Sequence, residues 1–194
     1  MPRKSSKPTY AFIDASNLFY GGVKSLGWKI DYKKLIAYIK KQYSPLEEKP
    51  IKLKNLVSYL RHKIKDKKVT KTQIASLMGN IQRVKFYLKL DEFGYILKLK
   101  PVKIFREEGG RVTKKANCDV DMTFDLMRNF DEYSGVLVLS GDGDFAVVLK
   151  YLRDQSKTVK ILARGERTAK EIRQLAGGDF RDFNYLREIL RFEK

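Results

Sequence analysis

Gly135-Val136-Leu137-Val138-Leu139 runs straight into Ser140-Gly141-Asp142-Gly143-Asp144-Phe145, and the reading of this stretch decides the fold. An unbroken apolar run with β-branched Val136 and Val138 and no alternating polar position reads as a strand buried on both faces, as in a parallel sheet. Two glycines and two aspartates follow at once, and Phe145-Ala-Val-Val-Leu-Lys-Tyr-Leu152 then begins a helical pattern. Strand, acidic turn, helix is the building unit of an open α/β sheet, whose ligand crevice lies outside the carboxyl ends of the strands. Asp142 and Asp144 are therefore expected where such folds keep their chemistry.

Tyr10-Ala-Phe-Ile-Asp14 reads as the first strand, ending in Asp14, with Ala15-Ser16-Asn17 as its turn. Taken alone, Asp14 serves equally well as an Asx turn or helix cap. Asp31 is expected to cap a helix to about Tyr43, with Leu35, Ile36 and Ile39 on one face. Asn55–Leu60 reads as a second strand because an α/β alternation wants one there, although Leu53, Leu56, Val57, Leu60 and Ile64 also have helical spacing. A lysine-rich loop leads to Thr70 or Thr72 as cap of a helix ending near Phe93, closed by Gly94 as a left-handed C′ residue.

Tyr95 to Phe105 alternates and reads as a strand, edge-like at Pro101. Arg106 to Arg111 is a turn, and Arg111–Cys118 leads into a helix from Asp119 to about Asn129. In that helix Met122, Phe124, Leu126 and Met127 are expected to face the sheet. Asp121 and Asp125 share a face, four residues apart. Asp119 sits at the N-terminus, where the macrodipole favours a carboxylate. The structural alternative is that Asp119 and Asp121 are first-turn acids and Asp125 a solvated one. Val159–Ala163 reads as the last strand of the sheet, followed by helices over Thr168–Leu175 and Asn184–Phe192, the latter with Leu186, Ile189 and Leu190 apolar. Residues 1–8 form a basic arm, and 9–194 read as one domain without repeat or linker.

With 194 residues the chain is long enough for a sizeable core. Its 41 Lys+Arg against 23 Asp+Glu give a net charge of +18, which points to a polyanionic partner such as nucleic acid, the bland alternative being a solvated basic surface. Cys118 and His62 are the lone cysteine and histidine, so an intrachain disulfide and a Cys/His zinc set are excluded, and a Cys–His or Ser–His nucleophile would have to recruit His62 from a lysine-rich stretch. Neither a signal peptide nor a membrane-spanning run is read, and the expected location is the cytosol.

If the strands ending in Asp14 and Leu139 are neighbours, Asp14, Asp119, Asp142 and Asp144 meet at one end of the sheet. Two carboxylates about 4 Å apart repel by roughly 4 kcal/mol at an effective dielectric of about 20, so the group must be neutralised by a cation, by protons or by Lys/Arg. Oxygen donors alone select a hard ion, Mg²⁺ or Mn²⁺. Beside a basic surface such an ion suits phosphodiester hydrolysis.

Phe12-Ile-Asp14-Ala-Ser-Asn17-Leu, Lys115-Ala-Asn117-Cys-Asp119-Val-Asp121 and Ser140-Gly-Asp142-Gly-Asp144-Phe145 resemble, in order and spacing, the NYN domain, and more narrowly its LabA-like branch within the PIN-like nuclease superfamily. The similarity extends over about residues 9–190. It implies a PIN-like three-layer α/β/α sandwich with a mostly parallel central sheet, and a metal-dependent ribonuclease or at least an RNA binder. On that pattern Asp14, Asp119 and Asp142 would be the main metal carboxylates and Asp144 a fourth ligand or outer partner. Asp121 would support them, Asn17 and Ser140 would position Asp14 or a phosphate, and Lys115 would contact the RNA backbone or the scissile phosphate. The lysine-rich stretch from Lys49 to Lys71 departs from the pattern.

Two other classes compete with an Mg²⁺- or Mn²⁺-dependent endoribonuclease. One is a non-catalytic RNA-binding or adaptor module with a vestigial acidic pocket, which the charge supports equally. Tyr20, Trp28, Tyr32, Tyr59 and Tyr87 are stacking candidates for it, each as readily a core aromatic. The other is a phosphatase or phosphotransferase, since acidic turns follow parallel strands there too.

Overall fold

The computed structural model describes residues 7–15, 18, 26–43, 70–99, 103–106, 112–115 and 118–193. They fall into two compact units, one drawn from Met1–Leu46 and Lys100–Lys194, the other from Glu47–Leu99.

The first unit is built on a parallel sheet of four strands: β1 (Thr9–Ile13), β4 (Gly135–Leu139), β5 (Thr158–Ala163) and β6 (Phe180–Asp182), in the order β1-β4-β5-β6. The all-apolar β4 lies inside the sheet with every residue buried, as its composition demands. Side chains alternate between the faces. Val136, Val138, Val159, Ile161 and Ala163 pack against Leu126, Val148, Leu149, Leu152, Ile172 and Ala176. Those residues come from α3 (Asp119–Arg128), α4 (Ala146–Asp154) and α5 (Lys170–Ala176). Leu137, Leu139 and Leu162 point the other way, onto Leu35 and Ile39 of α1 (Tyr32–Tyr43), Phe183, Leu186, and Leu190 of α6 (Arg187–Leu190). This is the expected PIN-like α/β/α sandwich. Each fully buried aliphatic side chain contributes about 1.5–3 kcal/mol.

Local chemistry sets the helix ends. Asp31 Oδ1 accepts from the backbone N–H groups of Lys33 and Lys34, as expected of a cap. Between α3 and β4, Lys157 acts as a tie. Its Nζ donates to the carbonyls of Phe130 and Tyr133, both at 2.7 Å, and lies over both rings.

The second unit holds α2 (Lys71–Glu92), a helix with both ends legible in sequence. Thr70 and Gln73 form a reciprocal capping box. At the other end Tyr95 N–H bonds to Leu90 O and Gly94 N–H to Asp91 O, the two bonds of a Schellman motif. That motif needs a left-handed residue, and Gly94 has φ +92°. Ile81 and Val84 are buried, with Leu77 and Leu88 packed on them.

Several expectations are corrected. Tyr95–Leu99 is not a strand; within the expected span Lys103–Arg106 forms β2, paired antiparallel with β3 (Val112–Lys115), where a lead-in to a helix is expected from sequence. The sheet does not end at Val159–Ala163, because β6 adds to β5 through Ile161↔Phe180 to Ala163↔Asp182. Phe124 and Met127 do not face the sheet; they are exposed, and only Leu126 of that set is fully buried. Ile189 is likewise exposed. The expected strand Asn55–Leu60, the turn residues 107–111 and residues 49–69 of the lysine-rich stretch lie outside the described residues. Among the described residues no helix is long and apolar enough to cross a membrane.

Candidate active site

The parallel register of β1 and β4 pairs Ile13 with Leu139, so the next residues, Asp14 and Ser140, emerge side by side at the carboxyl edge. Asp14 is buried, 8% exposed, and Ser140 is buried beside it. Ser140 Oγ donates to Asp14 Oδ2 at 3.2 Å and accepts from the Asp142 N–H at 3.2 Å. Asp142 Oδ1 in turn accepts from Asp144 N–H at 3.0 Å, capping the short 3₁₀ turn Gly143–Phe145 that opens α4. Hydroxyl and carboxylate thus replace the backbone partners that a tight turn leaves unmatched.

The turn is pinned from the side by the segment entering α5. Ala169 N–H donates to Gly141 O at 2.9 Å. A Cβ on Gly141 would lie 2.6 Å from Thr168 Oγ1 and 2.9 Å from Thr168 Cα, so glycine is required here by space. A Cβ on Gly143 would lie 2.6 Å from Glu171 Oε1, which puts a further carboxylate against the acidic turn. Thr168 Oγ1 donates to Arg164 O at 2.6 Å.

Asp119 begins α3, where Cys118 supplies no side-chain cap. Burial pushes its carboxyl above the ordinary 3.8, and the charges of Asp14, Asp142 and Asp144 push it further, against a lowering backbone hydrogen bond. These four carboxylates are therefore electrostatic neighbours, gathered by three separate segments. Among the described residues no three His, Cys, Asp or Glu side chains are already drawn together as a metal cage. The donor set is nevertheless wholly oxygen, with a hydroxyl supporting one carboxylate. Its mutual repulsion is of the kind a hard divalent ion relieves, so Mg²⁺ or Mn²⁺ fits its chemistry.

The other expected residues distribute differently. Asp121 is exposed on α3. Asp125 pairs with Arg128 at 2.9 Å. The backbone of Lys115 lies in β3, its side chain outside the described residues, as is Asn17. Of the stacking candidates, Trp28 is buried in the core, Tyr32 packs on it and Tyr87 is half-buried, while Tyr20 and Tyr59 are outside the described residues. Thr168 and Glu171 were missed as neighbours of the site. Thr168-Ala-Lys-Glu171 carries the T-x-x-E spacing of a capping box, a signal that reads as helix start rather than as a wall of the acidic turn.

The family model of the NYN domain matches residues 8–184. The chain is 26% identical over 182 residues to the Low amplitude and bright protein LabA of Synechococcus elongatus, covering 92% of this chain and 85% of that one. It is also similar to a crystal structure of a protein of unknown function from Vibrio parahaemolyticus. The TM-score is 0.63 at 19% identity, over 91% of this chain and 93% of that one, a likeness of fold.

Proposed function

The chain belongs to the NYN domain family, of the PIN-like nuclease superfamily, and we propose that it is a metal-dependent ribonuclease whose centre is Asp14, Asp119, Asp142 and Asp144. The single observation that carries this reading is electrostatic and geometric at once. Asp119 feels Asp14, Asp142 and Asp144 at the carboxyl edge of the sheet, in a chain of net charge +18. A basic protein that gathers four acids at one edge is suited to hold a cation beside a polyanion.

The residues divide the work. Asp14, Asp119 and Asp142 would hold Mg²⁺ or Mn²⁺, with Asp144 as a fourth ligand or outer partner. When bound, the ion supplies Lewis-acid polarisation of a phosphoryl oxygen and an acidified water for phosphodiester hydrolysis. Ser140 orients Asp14 and fixes the turn that carries Asp142. The basic surface draws RNA to the crevice, a term that weakens with salt.

The test is cleavage of single-stranded RNA by the parent chain and by Asp142→Asn, with Mn²⁺ and with EDTA. Cleavage by the parent in Mn²⁺ alone, lost in the variant, is the expected result. Salt-sensitive binding with no turnover under any divalent ion would replace the ribonuclease by a non-catalytic RNA-binding module.

A further inference from the structure

A groove of about 360 Å³ runs between α3 and α4, lined by Thr123 and Met127 on one side and Val147, Val148 and Tyr151 on the other, with Asp144 at its edge. Its size falls at the lower end for small-ligand sites. Around it the helices leave apolar surface in water: Val147 is 82% exposed, Phe124 61% and Tyr151 45%. The sandwich core does not need these residues outside, and an apolar patch gathered around a concave site marks binding.

We propose that this groove receives the nucleobase of the nucleotide next to the phosphate held at the carboxylates. This rests on the reading of the acidic centre as an RNA site and extends it from phosphate to base. Continuity is the first reason. Asp144 belongs both to the acidic group and to the groove lining, so a strand with its phosphate at the acids has this groove as its neighbour.

Chemistry is the second reason. The Tyr151 ring and the Met127 thioether offer flat and polarisable apolar surface to a base face, and Thr123 offers a hydroxyl to its edge. Charge is the third. One position round α3 from these residues, Arg128 stands 5.5 Å from the centre of the Phe124 ring, and it also holds the Asp125 carboxylate. The rim thus carries a guanidinium beside an aromatic face, as suits a sugar-phosphate chain, with Asp125 paired to it and Asp144 at the groove's edge.

The experiment is fluorescence anisotropy of a short single-stranded oligoribonucleotide with a cleavage-resistant 2′-O-methyl backbone, in Mn²⁺ so that the acids do not repel its phosphate, against the same backbone made abasic throughout. It uses the full chain, Val147→Gln, Tyr151→Ala and Tyr151→Phe. Val147 is almost wholly exposed, so its longer, polar and uncharged replacement changes the groove wall without disturbing core or net charge. The parent is expected to bind the intact strand about tenfold more tightly than the abasic one, of the order that base–aromatic stacking supplies. Val147→Gln and Tyr151→Ala should bring that ratio close to one, and Tyr151→Phe should keep it.

An unchanged ratio in Val147→Gln overturns the proposal, as does a parent that binds neither strand. So does light scattering that finds a dimer dissociated by Val147→Gln, since the groove would then seat a second copy. Mn²⁺-dependent cleavage with an unchanged ratio removes the groove and leaves the acidic centre standing. A base-dependent ratio without cleavage removes catalysis and leaves the groove.

Discussion

Ser140 Oγ donates a 3.2 Å hydrogen bond to Asp14 Oδ2, joining residues 126 positions apart in sequence. The same hydroxyl accepts from Asp142 N–H, so one side chain sets the attitude of two acids. Ser140→Ala is expected to leave the fold intact and to weaken Mn²⁺ binding about 10- to 100-fold, the usual effect of losing a partner of a ligating carboxylate. Isothermal titration measures it. Unchanged affinity would mean that the hydroxyl positions nothing that matters to the ion.

Binding to the folded state raises stability by mass action. At a Mn²⁺ concentration about 100 times its dissociation constant the gain is about 2.7 kcal/mol. The thermal midpoint of the parent should therefore rise with Mn²⁺, and that of Asp14→Asn should not. Equal shifts in both proteins would move the ion away from β1.

Asp119 gives a pH signature with an unusual sign for an aspartate. Its carboxyl lies above the ordinary 3.8 in the folded protein, by burial first and by its acidic neighbours second. The folded state then holds this proton more tightly than the unfolded chain, so stability falls as pH rises from 3.8 through the folded value. In metal-free protein Asp119→Asn should raise the unfolding midpoint at about pH 7 and give no such gain below about pH 3. A variant less stable than the parent at neutral pH would refute the balance of forces assigned to this residue.

Gly141→Ala tests whether the acidic turn tolerates displacement. The new methyl would meet Thr168 at 2.6 Å from Oγ1 and 2.9 Å from Cα, and backbone cannot swing aside as a side-chain tip can. A cost of about 1–3 kcal/mol is expected from overpacking, with RNA cleavage falling further than stability explains. Denaturant unfolding and cleavage rates on one sample separate the two. Full activity would show that the turn shifts without consequence.

Lys157→Met keeps the apolar stem and removes the ammonium that serves the Phe130 and Tyr133 carbonyls. Two carbonyls lose their donor, and a loss of about 1–3 kcal/mol in urea unfolding is expected. The site is distant from this tie, so metal affinity should not change.

The parts of the fold that show in sequence are those whose stability is local. β4 is legible because a strand buried on both faces must be apolar throughout, and α2 because Thr70 and Gly94 mark its ends chemically. β6 is three residues, Phe180-Arg-Asp182, held by pairing to β5 rather than by pattern. β3, Val112-Thr-Lys-Lys115, is held by backbone bonds to β2, and its lysines carry no strand signal. Phe124 and Met127 were assigned inward because apolarity alone does not distinguish a core face from a groove. At the site, the four aspartates stood out by type and spacing. Their meeting depended on β1 lying beside β4, which only the sheet order supplies. Glu171 was invisible because its approach depends on the missing side chain of Gly143.

The neighbour of β1 in the sheet is β4, and more than a hundred residues of chain are made between them. Asp14 leaves the ribosome more than a hundred residues before Asp119, Asp142 and Asp144, its companions at the site. A chain ended before Asp119 therefore carries Asp14 without any of its three partners at the site, and no centre. Whatever chemistry the edge of this sheet performs waits for β4 and the turn after it to be made and paired with β1.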